Sequence, residues 1–458
     1  MPELEDIDSP LIAQQEDGSY SITFYYQSLD NESYQSIILV SGDLHEWMID
    51  SNGEARTFTK EDSIEKPGLY SLTLNGITKG ALFATYQFKI ENTTPPQIVQ
   101  DRFNKKALKI SKLSSASSDE IVEQTISYVT IPEDAKLPTW ADIEPSAKID
   151  GTVICEKYGE ELERGTVRQQ RDVFIYKPQG FDALPKSDKK LIFMLDGKDM
   201  CERLVPSIDK TSELSTSAVI FINPGAYNSN DYPSRVLEYY IPPYNKEFID
   251  LLSDELLPHY IQKLGVCTRN VILDAHSLAA FPMIAVAKKI PGQVGGLILV
   301  SPALNQNRDL MLGEEDSSGL KKIPISMHIG KLEGAMPSSE LSETRELKQQ
   351  SRLDANKECY DNLKSCGYKV PSILDTHISG HDAMHVVSST VQGMSFIQSC
   401  WIEADKEQVA RFKKTKGELD EIIKNRKSAH SELDSANATE GNVADCRLGL
   451  GQTKTING

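Results

Sequence analysis

The sequence predicts a small antiparallel β-sandwich followed by a doubly wound α/β domain with a mostly parallel sheet, and three observations predict it. From residue 18 to about 92, short β-rich runs alternate with turn glycines. From about residue 171, apolar strand-like runs alternate with helical segments. Those later runs are continuously apolar, as parallel strands buried on both faces read.

In the first region the strands are Tyr20–Tyr26, Ser36–Val40, Leu69–Leu74 and Ala84–Ile90, with Gly18, Gly42, Gly53, Gly68 and Gly76 at the turns. This gives an early-set immunoglobulin-like sandwich over residues 1–92. Residues 93–147 are proline- and serine-bearing and only weakly periodic, which reads as a connector. The α/β domain then spans 148–402. Its strands are Arg171–Lys177, Leu191–Leu195, Ala218–Asn223, Val271–His276, Gly296–Ser301 and Ile325–Ile329, with helices over Asn245–Gly265, Phe281–Lys289 and Val391–Trp401. Residues 403–458 are a charged tail. Its first part, 403–427, suits an exposed helix with Val409, Phe412, Leu419 and Ile423 on one sparse apolar face, and 431–458 read as disordered.

Composition excludes several functions. No run of eighteen apolar residues is available for a membrane span. A formal net charge of −18 with no Lys/Arg cluster argues against a nucleic-acid partner. The acidic start Met1–Asp8 has no secretory signal pattern, and seven scattered cysteines without a C-x-x-C pair indicate neither a disulfide framework nor a zinc cluster, so a cytoplasmic location is expected. His377, His381 and His385 are spaced i, i+4, i+8, but Gly380 interrupts that helix and no acid or cysteine cluster joins them; no metal is expected.

The chemistry centres on Ala275-His-Ser-Leu-Ala279, where a buried strand breaks into a helix. In a nucleophile elbow the serine sits on a strained strand-to-helix turn, and the residues two before and two after must be small. Ala275 and Ala279 meet that demand and place Ser277 as nucleophile. A serine hydroxyl needs an imidazole to take its proton, and the imidazole needs an acid to hold its tautomer. His381, in the loop Ile378-Ser-Gly-His-Asp-Ala-Met384 after the last strand, is the base. Glu333, after the strand ending at Ile329, leads as the acid over Asp309, Asp354 and Asp375. The amide of Leu278 is the first oxyanion donor, and an amide of the Asp196–Met200 loop, taken at Lys198, the second.

Five segments in order, Leu195-Asp-Gly197, Arg235-Val-Leu-Glu-Tyr239, Asp254-Glu-Leu-Leu-Pro258, the Ser277 elbow and Gly380-His-Asp-Ala383, resemble the enterochelin esterase family of ferric-siderophore hydrolases over about residues 10 to 400. The resemblance implies an α/β-hydrolase of the esterase D type behind an amino-terminal β-sandwich. It implies hydrolysis of an ester of a ferric catecholate siderophore through Ser277, His381 and Glu333, with no cofactor and with iron arriving on the substrate. It also implies that Arg235 with Glu238 forms a structural or substrate-facing pair near the site. His276, in the place of the family's usual glutamine, is grouped with them as substrate-binding. The family's elbow glycines are alanines here, and Met200 and Ser301–Asn305 stand where the family carries aromatic rings. A general carboxylesterase, or a binding protein on a hydrolase scaffold with the tail as a partner-docking or export element, is the alternative.

Overall fold

A computed structural model describes residues 9–28, 36–40, 56–61, 68–77, 82–91, 97–113, 121–131, 148–159, 166–227, 233–304, 317–330, 333, 352–377 and 385–439. The amino-terminal part holds two antiparallel sheets. One contains β1 (Leu11–Gln14), β2 (Tyr20–Gln27), β4 (Thr59–Lys60) and β5 (Leu69–Ile77), in the order β1-β2-β5-β4. The other contains β3 (Ile37–Val40), β6 (Leu82–Ile90), β9 (Ile121–Ile131) and β8 (Ala107–Leu113) in that order, with β7 (Gln97–Val99) also paired to β6. Ile22, Phe24, Leu72, Leu74, Tyr86, Phe88 and Val129 share one apolar core, in which the Phe24 and Tyr86 rings meet edge-on at 4.7 Å.

Three of these strands come from the stretch that reads as a connector. Apolar periodicity hides β9 because two of its buried positions, Ser127 and Thr130, are polar and stand on opposite faces of the strand. A polar staple serves Ser127. Buried Asp101 accepts from Ser9 Oγ at 2.7 Å, Tyr86 Oη at 2.8 Å and the Phe103 amide at 2.9 Å, while Ser127 Oγ donates to the Asp101 carbonyl.

The second region builds one eight-stranded sheet from β10 (Thr152–Tyr158), β11 (Arg171–Lys177), β12 (Lys190–Leu195), β13 (Ser217–Ile222), β14 (Val271–His276), β15 (Gly296–Val300), β16 (Ile325–Gly330) and β17 (Asp375–His377). Their spatial order is β10-β11-β13-β12-β14-β15-β16-β17. Pairing is antiparallel from β10 to β13 and parallel from β13 to β17. The chain steps outward from β12 to β13 and then returns to the other side of β12 as β14. That reversal opens a crevice beyond the carboxyl ends of β12 and β14, where doubly wound sheets bind ligands.

Helices cover the sheet. The expected helix over 245–265 is present in three pieces, Tyr244–Asp250, a π-helical turn Leu251–Leu256 and Leu257–Leu264. Pro258, which has no amide to donate, lies two residues past the end of the π turn. The Val386–Thr439 helix lies against β15 through its first turns: a side chain at Gly393 would meet Ile298 at 2.8 Å and one at Gly296 would meet Ile397 at 2.4 Å, so both positions need glycine.

From Gln398 the chain forms a second compact unit. The helix continues in it to Thr439, beyond the expected end at 427, and Val409, Phe412, Leu419 and Ile423 are exposed as the sequence pattern anticipates. The remainder of the segment read as disordered lies outside the described residues. Among the described residues no helix is long and apolar enough to cross a membrane.

Candidate active site

Three residues other than glycine have a left-handed backbone among the described residues: Asp196 (φ 63°), Ser277 (φ 59°) and Ser301 (φ 48°). Each directly follows a parallel strand: Asp196 follows β12, Ser277 β14 and Ser301 β15. Such conformations cost of order 1–3 kcal/mol and persist only where the surroundings over-determine them, typically at functional sites. Strain is therefore concentrated at the carboxyl ends of three adjacent inner strands, β12, β14 and β15, beside the crevice.

Ser277 makes the turn from β14 into the helical residues that lead to Ala280–Lys289. Ala275 and Ala279 are buried on either side of it, so larger residues there would force strand and helix apart. The Leu278 amide lies in the first turn of this helical segment, where backbone donors lack intrahelical acceptors. The Ala303 amide donates to the Ser277 carbonyl at 3.2 Å and ties the elbow to the loop after β15.

The Asp196 turn is clamped from the Ser234–Tyr240 helix. Arg235 donates Nε to Asp196 Oδ1 at 2.6 Å and Nη2 to Oδ2 at 2.8 Å, and Tyr239 donates its hydroxyl to Oδ1 at 3.1 Å. Gly197 (φ 29°) admits no side chain, since one would fall 1.7 Å from Asn223 Oδ1. That same Asn223 oxygen accepts the Lys198 amide at 2.7 Å. The amide expected as second oxyanion donor is thus occupied within the protein.

Glu333 is 3% exposed and anchored on several sides. Its Oε1 accepts from the Gly330 amide at 3.0 Å and from Ser301 Oγ, while Oε2 faces Arg352 Nη1 at 3.6 Å. Arg352 is mostly buried against this carboxylate. Arg235 lies close enough to Arg352 for their charges to repel. Of the competing acids, Asp354 is exposed, and Asp309 and the side chain of Asp375 lie outside the described residues.

His381 also lies outside the described residues. His385, four positions later, is 2% exposed, with Nε2 3.4 Å from Ser301 Oγ and its ring edge-on to that of His276 at 6.2 Å. Beneath the elbow, Asp274 of β14 is buried and accepts from Thr390 Oγ1 at 2.5 Å. Burial pushes its carboxyl up to about 7, against the opposing pull of the Thr390 hydroxyl. Sequence reasoning missed Asp274, Ser301 and His385 as members of this neighbourhood. Among the described residues no group of three or more His, Cys, Asp or Glu could hold a metal ion.

Glu238 requires a correction. It does not pair with Arg235: it is fully buried and is held by Arg171, with Nη1–Oε2 at 3.1 Å and Nη2–Oε1 at 3.0 Å. Tyr227 donates to it at 2.8 Å. A carboxylate taken wholly out of water needs such a partner, and this one lies 67 residues upstream.

No protein-family model matches the chain, and no curated protein matches it in sequence. Solved structures do resemble it. The enterobactin esterase of Shigella flexneri, crystallised in the presence of enterobactin, is 15% identical, with 86% of this chain and 96% of that one covered and a TM-score of 0.58. The ferric enterobactin esterase of Salmonella typhimurium is 14% identical, with 86% and 97% covered and a TM-score of 0.60. A further Shigella flexneri enterobactin esterase structure, in the presence of 2,3-dihydroxy-N-benzoyl-serine, is 15% identical, with 86% and 97% covered and a TM-score of 0.56. At these identities the likeness is one of fold: the chain has the α/β-hydrolase fold with antiparallel sheets before it.

Proposed function

We propose that the chain is a serine ester hydrolase, with Ser277 as nucleophile, His381 as general base and Glu333 as the acid that orients it. The observation that carries this reading is the left-handed backbone of Ser277 at a strand-to-helix turn between buried alanines. Helix N-capping, the ordinary use of serine after a strand, has an extended backbone and leaves that strain unexplained.

In the reaction, Ser277 Oγ attacks the ester carbonyl and its proton passes to His381. The carbonyl oxygen becomes an oxyanion, for which the Leu278 amide is the donor; the Lys198 amide would first have to leave Asn223. Collapse breaks the acyl–oxygen bond, and His381 returns the proton to the departing alcohol. Water, deprotonated by the same imidazole, then releases the acid and restores Ser277. Arg235 acts by holding the Asp196 turn beside the elbow. In this reading residues 148–402 carry the chemistry.

The substrate class we infer is an ester related to a ferric catecholate siderophore. Its support is the fold shared with esterases crystallised with enterobactin and with its fragments. Replacement Ser277→Ala is expected to abolish turnover of p-nitrophenyl butyrate without lowering the melting temperature; retained turnover removes Ser277 from the mechanism. Incubation of the wild type with ferric and iron-free enterobactin is expected to yield dihydroxybenzoylserine. Intact enterobactin alongside active p-nitrophenyl ester hydrolysis would make the chain a general carboxylesterase instead.

A further inference from the structure

Two buried polar side chains beside Glu333 take no part in acyl transfer as set out above. Ser301 is wholly buried and its amide donates to the His328 carbonyl at 2.8 Å, so its backbone is held in the left-handed turn that ends β15. Its hydroxyl donates to Glu333 Oε1, because an ionised carboxylate can only accept. With that proton committed, Ser301 Oγ offers only lone pairs to His385 Nε2, 3.4 Å away, so Nε2 is the protonated nitrogen of this ring. The result is a buried chain from His385 Nε2–H through Ser301 Oγ–H to Glu333 Oε1. His385 is itself fixed where the carboxy-terminal helix begins: its carbonyl accepts Ser388 Oγ at 2.8 Å, and one turn further on Thr390 is bonded to Asp274.

We infer that Ser301 and His385 are positioning residues for the triad acid. The inference rests on Glu333 being that acid. Glu333 comes from the loop after β16, whereas Ser301 and His385 stand at the ends of a central strand and a long helix. Locking Oε1 by Ser301 and the Gly330 amide sets the plane of the carboxylate, and with it the direction in which Oε2 is presented. The left-handed turn at Ser301 is then the cost of delivering a hydroxyl to this point.

The test uses the full chain and p-nitrophenyl butyrate. A hydrogen bond to a charged group corresponds to roughly tenfold to hundredfold in an equilibrium or rate. Ser301→Ala and His385→Leu are therefore expected to lower kcat about tenfold or more with KM within about twofold, and His385→Gln, which keeps a donor, to recover part of the loss. Ser301→Gly lacks the hydroxyl but relieves the strained φ, so it should match Ser301→Ala in kcat while being the more stable of the two. The deciding measurement is the double substitution. In a Glu333→Gln background, itself expected to lose on the order of 10³-fold or more in kcat, Ser301→Ala should cause no further fall. A full additional fall, or unchanged kcat with only a lowered melting temperature, overturns the inference. If Glu333→Gln leaves kcat unchanged while Ser277→Ala abolishes it, the serine mechanism stands and the positioning role is wrong. If Ser277→Ala still turns over, the reading of the whole site has failed.

Discussion

The strain at Ser277 can be measured by comparing two substitutions that remove the same hydroxyl. Ser277→Ala keeps a β-carbon in the left-handed conformation; Ser277→Gly does not. For an L-residue that conformation costs roughly 1–2 kcal/mol, whereas glycine adopts it freely. Against this, glycine loses about 0.5–1 kcal/mol relative to alanine through its greater freedom in the unfolded chain. The elbow geometry (φ 59°) therefore predicts Ser277→Gly to be more stable than Ser277→Ala by roughly 0.5–1 kcal/mol. At an ordinary helix or strand position the order is the reverse. For a domain of this size the difference corresponds to about 1–4 °C in melting temperature, resolvable by differential scanning calorimetry of the two variants side by side. Both should be inactive towards p-nitrophenyl butyrate. If Ser277→Gly melts below Ser277→Ala, the turn is not strained as described and the geometric basis for calling Ser277 a nucleophile is gone.

Other substitutions separate structure from chemistry. Glu238→Ala leaves the Arg171 guanidinium buried and unpaired, which costs about 3–5 kcal/mol and roughly 10 °C in melting temperature; KM of the folded enzyme should not move, and a raised KM at unchanged stability would return Glu238 to the substrate. Arg235→Lys replaces a two-point clamp on Asp196 with a single point and should lower kcat/KM roughly tenfold; an unchanged kcat/KM would show the clamp to be dispensable. Asp274 titrates with the opposite sign to most carboxylates, because burial raises its pKa to about 7 and the native state binds a proton that the unfolded chain has already lost. Between about pH 4 and 7 the wild type should lose about 1.4 kcal/mol per pH unit relative to Asp274→Asn and then level off. Parallel stability curves across that range would contradict a neutral buried Asp274.

Most of the eight-stranded sheet is legible in the sequence because its central strands bury both faces, so uninterrupted apolar runs such as Ala218–Ile222 carry the signal. The same logic fails in the sandwich, where β9 buries the polar Ser127 and Thr130, the first of them on a polar staple. The elbow is legible from small residues flanking a serine between strand and helix. What surrounds it is not. Sequence proximity pairs Glu238 with its near neighbour Arg235, whereas burial pairs it with Arg171 from β11. Ser301 and His385 meet across 84 residues, and nothing local marks either. Ser301 ends an ordinary apolar strand, and its left-handed φ is set by tertiary contacts that no sequence window contains.

The central claim is that Ser277 is an activated nucleophile. Reaction of the full-length protein with a fluorophosphonate, followed by peptide mapping, tests it directly. One modified serine, Ser277, is expected, with labelling abolished by Ser277→Ala and strongly slowed by His381→Ala. An unlabelled protein, or a label on a different serine, would contradict it.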